Sequence, residues 1–337
     1  MPNRLFSSKE KSMRLNTTIV LLRFLFALIC INSPGSAGAQ GYPVRDIHII
    51  NGYAAGAGAD VASRIFGKHL EETFGHPVII ENRPGAFTNL AAAAVGRAQS
   101  DGYTLLFSGH VTITSNIHLF KTVPFDPRKD FTAIVPAGRQ SFAFAVPPQS
   151  PARNFAELTA HLKSKSDNAS FGYANTLGLM NIELFKNMTG ISAVDVPYKS
   201  SVEALTGLLR GDIDLLVYDL GTLTQQEREG RLRVLAVTTA ERSSLRPDLP
   251  GMREAGLPNF DLGAWFGLWG PAKMDPAIVN RLSEAVEEIW GNPDKRAALS
   301  ALTVEPFYLP PDEFSKFVQD ESAKWARVIA ITNIEPR

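Results

Sequence analysis

The chain has 337 residues, 34 basic and 34 acidic, with a mean hydropathy of −0.04. That length allows one or two domains with a large core, and the balanced charge gives nucleic acid no electrostatic footprint. A single cysteine, Cys30, excludes a disulfide framework or a cysteine-built metal site.

The first element is a leader. Arg4, Lys9, Lys11 and Arg14 precede an apolar run from Ile19 to Ile31, and SAGAQ follows at 36–40. This order reads as a signal peptide cleaved after Ala39, which sends the mature chain to the periplasm. The alternative is an uncleaved anchor, but thirteen residues interrupted by Arg23 fall short of the ~20 needed to span a bilayer. Met13 is an alternative start. Cleavage removes five basic residues and one acidic residue, leaving 29 against 33, a formal charge of −4. It also removes Cys30, which lacks the small-residue setting of a lipoprotein site, so no thiol nucleophile remains.

Strands and helices then alternate. Ile47–Ile50, Val78–Glu81 and Tyr103–Phe107 read as short buried strands, with helices over 60–74 and 88–98 between them. This βαβαβ spacing predicts a parallel sheet with right-handed crossovers. Between the first strand and its helix lies a turn of glycine and alanine, GYAAGAGAD at 52–60. A turn so poor in side chains leaves backbone NH groups at a positive helix start, which suits a carboxylate or a phosphate.

A second unit begins after the proline-rich AVPPQSP at 145–151. It carries helices over 155–165 and 201–211 and strands at 194–197, 213–219 and 232–239, while Asn168–Asn175, with few apolar anchors, reads as loop. The aromatic run from Pro258 to Pro271 has no clean period and suits a crossing between lobes. Two amphipathic helices follow, the first marked by Ile278, Leu282, Ala285 and Ile289, the second by Phe314, Val318, Trp325 and Ile329. With no further sheet to complete, this arm is expected to return to the first lobe. The resulting expectation is an α/β protein of two lobes, 40–145 completed by 265–337, and 146–264.

Motifs distributed over residues 42–333 resemble the substrate-binding proteins of tripartite tricarboxylate transporters, the Bug or TctC-like family. They are YPVRDI at 42–47, YAAG at 53–56 with Asp60, ENRPGA at 81–86, DGYTLL at 101–106, FDP at 125–127 with Asp130 and Phe131, and VPYK at 196–199. LAVT at 235–238 with Arg242, PDLP at 247–250 and WFGLWGPA at 265–272 complete the series. The order and spacing are more specific than any one motif. The resemblance implies a noncatalytic, cofactor-free, two-lobed periplasmic binding protein of the Venus-flytrap kind, each lobe a sheet flanked by helices. It implies closure over a small carboxylated solute, with membrane transporter components as partners and the protein itself a monomer. A membrane sensor is the alternative partner.

By that resemblance Tyr53, Ala54, Ala55, Gly56 and Ala57 line the site, with NH groups near Ala55–Ala57 and at the following helix start on the proximal carboxylate. Asp60 either caps the helix or receives a water or ligand proton. Ser108 and Gly109 stand at a strand's C-terminal end, where α/β clefts form. From the second lobe the ANTLG loop at 174–178 offers Asn175 and Thr176, Tyr198 brings a phenol to the cleft or is a buried tyrosine with a backbone partner, and Asp219 faces the gap. Arg83 reads as a local brace of its loop. The chain departs from the family pattern at Gly52, where proline is usual, at Ala57, often glycine, and at Phe87–Thr88, commonly a glycine pair. The 174–178 loop is also shorter and poorer in glycine.

Enzyme readings fit less well. Gly56 and Gly58 follow a strand, and Glu81 lies 23 positions beyond Gly58, near the ribose-binding spacing of a dinucleotide fold, but the third glycine of that motif falls on Val61. No GxSxG elbow or HExxH pair is present.

Overall fold

The computed structural model describes residues 41–331; the leader and its Ala39 junction lie outside them. The elements below all belong to one unit, Pro43–Arg337. In chain order, β1 (Ile47–Asn51), α1 (Gly58–Phe74), β2 (Val78–Asn82), α2 (Asn89–Gly96) and β3 (Thr104–Gly109) form the expected βαβαβ unit. In β1, Ile47, Ile49 and Ile50 are all buried, since a parallel strand covered on both faces needs no polar alternation. Helix α1 begins two residues before the predicted start and closes on Gly75, whose left-handed φ of 69° lets its NH reach Glu71 O.

After α3 (Asn116–Leu119), the ten-residue β4 (Phe131–Gln140) runs into β5 (Phe142–Val146) with only Ser141 between. Strand β4 pairs with β10 (Ala264–Pro271) in the first sheet, whose order is β2-β1-β3-β10-β4. Strand β5 instead pairs antiparallel with β8 (Leu215–Asp219) and β9 (Arg233–Val237) in a second sheet ordered β7-β6-β8-β5-β9. The chain therefore changes sheet at Ser141, ahead of the boundary near 145 expected from the prolines. Helices α4 (Phe155–Lys165), α5 (Thr176–Thr189), α6 (Ser201–Arg210) and α7 (Leu220–Arg228) belong to this second unit, with β6 (Ser170–Tyr173) and β7 (Val194–Pro197).

Strand β6 corrects the loop expected over 168–175. It pairs parallel with both β7 and β8, and only Phe171 gives it a large apolar side chain. Gly172 supplies closeness instead: a Cβ there would collide with Ile213. Both sheets are mixed rather than purely parallel, because β10 and β5 run against their neighbours.

Three passages join the lobes. One is Ser141; the second is the aromatic run, whose Phe260 and Leu262 pack in the second core while Trp265 and Trp269 pack in the first. The third is the arm after α8 (Pro276–Gly291) and α9 (Pro293–Ala301). Its Glu305 is 1% exposed and exchanges backbone hydrogen bonds with Arg139 at 3.1 and 2.7 Å. The carboxylate of Glu305 accepts from Ser141 Oγ (2.7 Å), Ser244 NH (2.7 Å) and Ser244 Oγ (2.9 Å).

The last helix, α10 (Pro311–Ile331), bridges the lobes rather than completing the first alone. Phe314 joins the core around Trp265 and Trp269, whereas Trp325, Val328 and Ile329 join that of Phe144 and Phe171. His110, just beyond β3, stacks on Trp325 at 5.0 Å. Burial and the nearby Lys324 push its imidazole down to about 3, so it stacks as the neutral ring.

Glu305→Ala should remove the acceptor of three donors, Ser141 Oγ at the sheet-changing point and the NH and Oγ of Ser244. Urea unfolding is expected to show a loss of about 1.5–3 kcal/mol, the range for hydrogen bonds to a charged group; an unchanged midpoint would remove Glu305 from the account of lobe connection.

Candidate functional site

In each sheet the strand order reverses around one strand, β1 in the first and β6 in the second. A crevice opens outside the carboxyl ends of the strands at such a point. The carboxyl ends of β1, β3, β6 and β8, with the turns and helix starts just beyond them, carry eleven of the twelve predicted residues, and Tyr198 follows β7.

The β1 turn is built from beneath. Asp60 is 2% exposed, and its carboxylate accepts from Gly56 NH at 2.9 Å, Asn82 Nδ2 at 2.7 Å and Arg64 Nε at 3.1 Å. Asn82 also donates to Tyr53 O (2.9 Å), and Asn51 Oδ1 accepts from Tyr53 NH (3.0 Å). Burial pushes the Asp60 carboxyl up, but the bonds from Asn82, Gly56 and Arg64 outweigh it and hold the group below the ordinary carboxylate range. Asp60 lies within α1 and reaches back to the turn; the N-cap position is Ala57, which provides no side-chain cap.

Two of the expected donors are engaged within the turn itself. Gly56, at φ 82°, gives its NH to Asp60, and Ala57 gives its NH to Ala54 O at 3.1 Å. Among the described residues no acceptor meets the amides of Ala55, Gly58 and Ala59. Ala54, Ala55 and Gly56 are exposed. Tyr53 turns its phenol inward, where the oxygen accepts from Gly109 NH at 3.1 Å; burial raises its pKa to about 12, against the pull of that NH. A Cβ on Gly109 would collide with this hydroxyl, which explains glycine there. Ser108 is fully buried, with its hydroxyl 2.5 Å from Thr112 Oγ1.

Thr112 in turn meets Thr88 Oγ1, in a loop where three successive non-glycine residues have positive φ: Ala86 at 45°, Phe87 at 55° and Thr88 at 71°. L-residues in this region cost on the order of 1 kcal/mol each. Asn116, fully buried, helps to offset the cost by donating from Nδ2 to Phe87 O at 2.9 Å. Gly52 makes room: a Cβ there would stand 2.7 Å from Thr88 Cβ. The departures at Gly52 and Phe87–Thr88 are therefore coupled. Arg83 braces Glu81 (2.8 Å), as expected of a local ion pair.

Across the gap, Asn175 is the N-cap of α5, its Oδ1 accepting from Gly178 NH at 2.8 Å, and Thr176 opens that helix; both are exposed. Asp219 caps α7 through Thr222 NH at 2.9 Å. Tyr198 is half-buried, its phenol against Gly207 and its backbone NH on Tyr173 O at 2.9 Å. Burial, with the Asp212 carboxylate, raises the pKa of that phenol.

A cavity of about 270 Å³ lies between the lobes here. The first lobe contributes Phe87, Val111, Asn116, Leu119 and Phe120; the second contributes Tyr173, Ala174, Asn175, Thr176, Leu179 and Tyr198. Asn175, Thr176 and Tyr198 among the predicted residues thus line it. Tyr53–Ala57, Asp60, Ser108, Gly109 and Asp219 are not in its lining, although Ser108 connects through Thr112 and Thr88 to the loop that carries Phe87. Nothing in the sequence spacing of Phe87 and Phe120 foretells their 5.2 Å ring contact. A larger hollow of about 450 Å³ runs along α10 beside His118, Arg128 and Trp269, away from the strand ends. Among the described residues no cluster of His, Cys, Asp and Glu could hold a metal ion.

Two α/β lobes joined by strand crossings, with a cavity at paired strand-order reversals, define a periplasmic-binding-protein architecture. A model of the tripartite tricarboxylate transporter family receptor matches residues 62–334, and the chain belongs to that family of solute-binding receptors rather than enzymes. Receptors of this family are periplasmic, and among the described residues no helix is long and apolar enough to cross a membrane. The chain is similar to BugT of Bordetella pertussis, 28% identical over 324 residues, 95% of this chain and 98% of that protein. It is also similar to two solved R. palustris proteins, each 28% identical and wholly covered. Rpa4515, solved with adipate, superposes on 88% of this chain with a TM-score of 0.72. MatC, solved with malate, does so on 86% with a TM-score of 0.65.

Two outcomes check this geometry. Asp60→Asn should destabilise the fold by about 1–3 kcal/mol at neutral pH, since at least one buried donor loses its acceptor. Because the folded-state pKa is depressed, the wild-type contribution is present above the ordinary carboxylate range and disappears as pH falls through the folded value; denaturation curves of the two proteins should converge on acidification. Gly52→Ala should cost about 1–3 kcal/mol through overpacking, and Thr88→Gly in the same chain should recover most of it, a coupling that a double-mutant cycle measures.

Proposed function

We propose that the protein captures a small carboxylated solute between its lobes and delivers it to the membrane components of a tripartite tricarboxylate-type transporter. The observation that carries this reading is the uncapped start of α1 at the strand-order reversal of the first sheet: among the described residues the amides of Ala55, Gly58 and Ala59 have no acceptor, and the Asp60 network beneath them holds the turn in place. Oriented NH groups at a helix start favour an anion without a fixed counter-charge. The helix starts at Thr176 and Leu220 add positive ends from the other lobe. The carboxylates in the adipate- and malate-bound relatives support the same chemistry. Binding without a buried cation leaves release easy once the lobes part and water returns.

The test is a thermal-shift screen of mono-, di- and tricarboxylates followed by calorimetry. A ligand at a hundred times its Kd should stabilise the folded state by about 2.7 kcal/mol. Alcohol and amide analogues of the same skeleton should give no shift. Absence of saturable binding by every carboxylate would overturn the proposal.

A further inference from the structure

The hollow of about 450 Å³ along α10 shares no lining residue with the interlobe cavity and takes no part in solute capture as described above. Its origin lies in the faces of α10. Phe314 enters the first core, and Trp325, Val328 and Ile329 enter the second. A neighbouring stripe, Ser315, Val318, Gln319, Ser322, Ala323 and Ala326, recurs at helical spacing but is mostly small or polar, so it bounds the space beside Phe131 and Trp269 without filling it. Small-molecule sites commonly measure about 300–1,000 Å³, with apolar walls and a few placed polar groups.

The polar groups here carry one sign of charge. Arg128 is the sole charged residue in the lining. Asp126 lies 3.6 Å from Arg128 Nε, beyond hydrogen-bonding reach, and is shared with Lys129 Nζ at 3.4 Å. Among the described residues the Arg128 guanidinium makes no hydrogen bond, which leaves its fork of donors for a carboxylate. Two further polar atoms of lining residues, Trp269 Nε1 and His118 Nε2, are buried without a hydrogen-bond partner. Burial lowers the pKa of His118, against a backbone hydrogen bond with Ser322 and with the help of the Arg128 charge, so the ring is neutral at neutral pH and adds no second cation. An unpaired buried NH such as that of Trp269 destabilises the folded state, and an acceptor on a bound molecule relieves it.

We propose that this hollow is a second binding site, taking an organic acid with an apolar body of one or two rings or an equivalent branched chain. The body lies against Phe131, Trp269 and Val318, and the carboxylate sits at the rim on Arg128. Helix α3 stands between the two spaces, giving Asn116 and Leu119 to the interlobe cavity and His118 to the hollow. The inference is independent of carboxylate capture between the lobes.

Nuclear magnetic resonance of the isotope-labelled mature protein tests it, with the indole NH of Trp269 as reporter, naphthoate as probe and naphthamide as the uncharged control. Naphthoate should shift the Trp269 resonance saturably and bind at least about tenfold more tightly than naphthamide, the order of one charge-assisted hydrogen bond. Arg128→Ala replaces a side chain that is 81% exposed, so the variant should fold as wild type does and lose the preference for the acid. Ala323→Trp, which places a ring in the space, should abolish the shift. Both variants should keep wild-type affinity for a carboxylate bound between the lobes. A Trp269 resonance that naphthoate leaves in place would overturn the inference, as would equal naphthoate binding by wild type and both variants. Displacement of naphthoate by an interlobe carboxylate would assign the probe to the cleft and remove the second site, with capture between the lobes left standing.

Discussion

The buried Asp60 carboxylate is the interaction on which the site depends. It spends its two oxygens on Gly56 NH, Asn82 and Arg64, and in doing so holds a turn with almost no side chains of its own in a single shape. A loop of alanine and glycine has many accessible conformations and a correspondingly large ordering cost. With Asp60 beneath it, that cost is met during folding, so a solute entering later does not bear it. The amides of Ala55, Gly58 and Ala59 are then left without an acceptor among the described residues.

The rest of the architecture brings a second surface to this turn. Both lobes use the same device: parallel strands reverse their order, and a helix starts just beyond. In the first lobe the start is uncapped, whereas Asn175 and Asp219 cap the starts in the second. The asymmetry divides the labour, giving a strong bare donor set on one side and an uncharged, ring-lined wall with modest polar groups on the other. Connection between the halves runs through Ser141, the aromatic crossing and Glu305, with α10 packed into both cores.

Much of this was legible in the residues. The βαβαβ opening, the amphipathic helices at 276–291 and 311–331 and the glycine-alanine turn follow from periodicity and composition. Strand β6 did not, because its place depends on Gly172 lying against Ile213 and on partners to both sides, a tertiary fact with no local signature. The sheet change at Ser141 was likewise hidden, since β4 and β5 are nearly continuous in sequence and differ only in pairing. The turn at 53–57 could be read as an anion site, but which amides remain free depended on Asp60 reaching back to Gly56. The departures at Gly52 and Phe87–Thr88 looked independent along the chain and proved to be in contact.

A crystal structure with a bound carboxylate would test the central claim most directly. The account predicts carboxylate oxygens at hydrogen-bonding distance, about 2.7–3.2 Å, from the amides of Ala55, Gly58 or Ala59, with the Asp60 network unchanged and no side-chain cation in contact. A carboxylate seated instead on an arginine or lysine, with those amides still facing water, would contradict it.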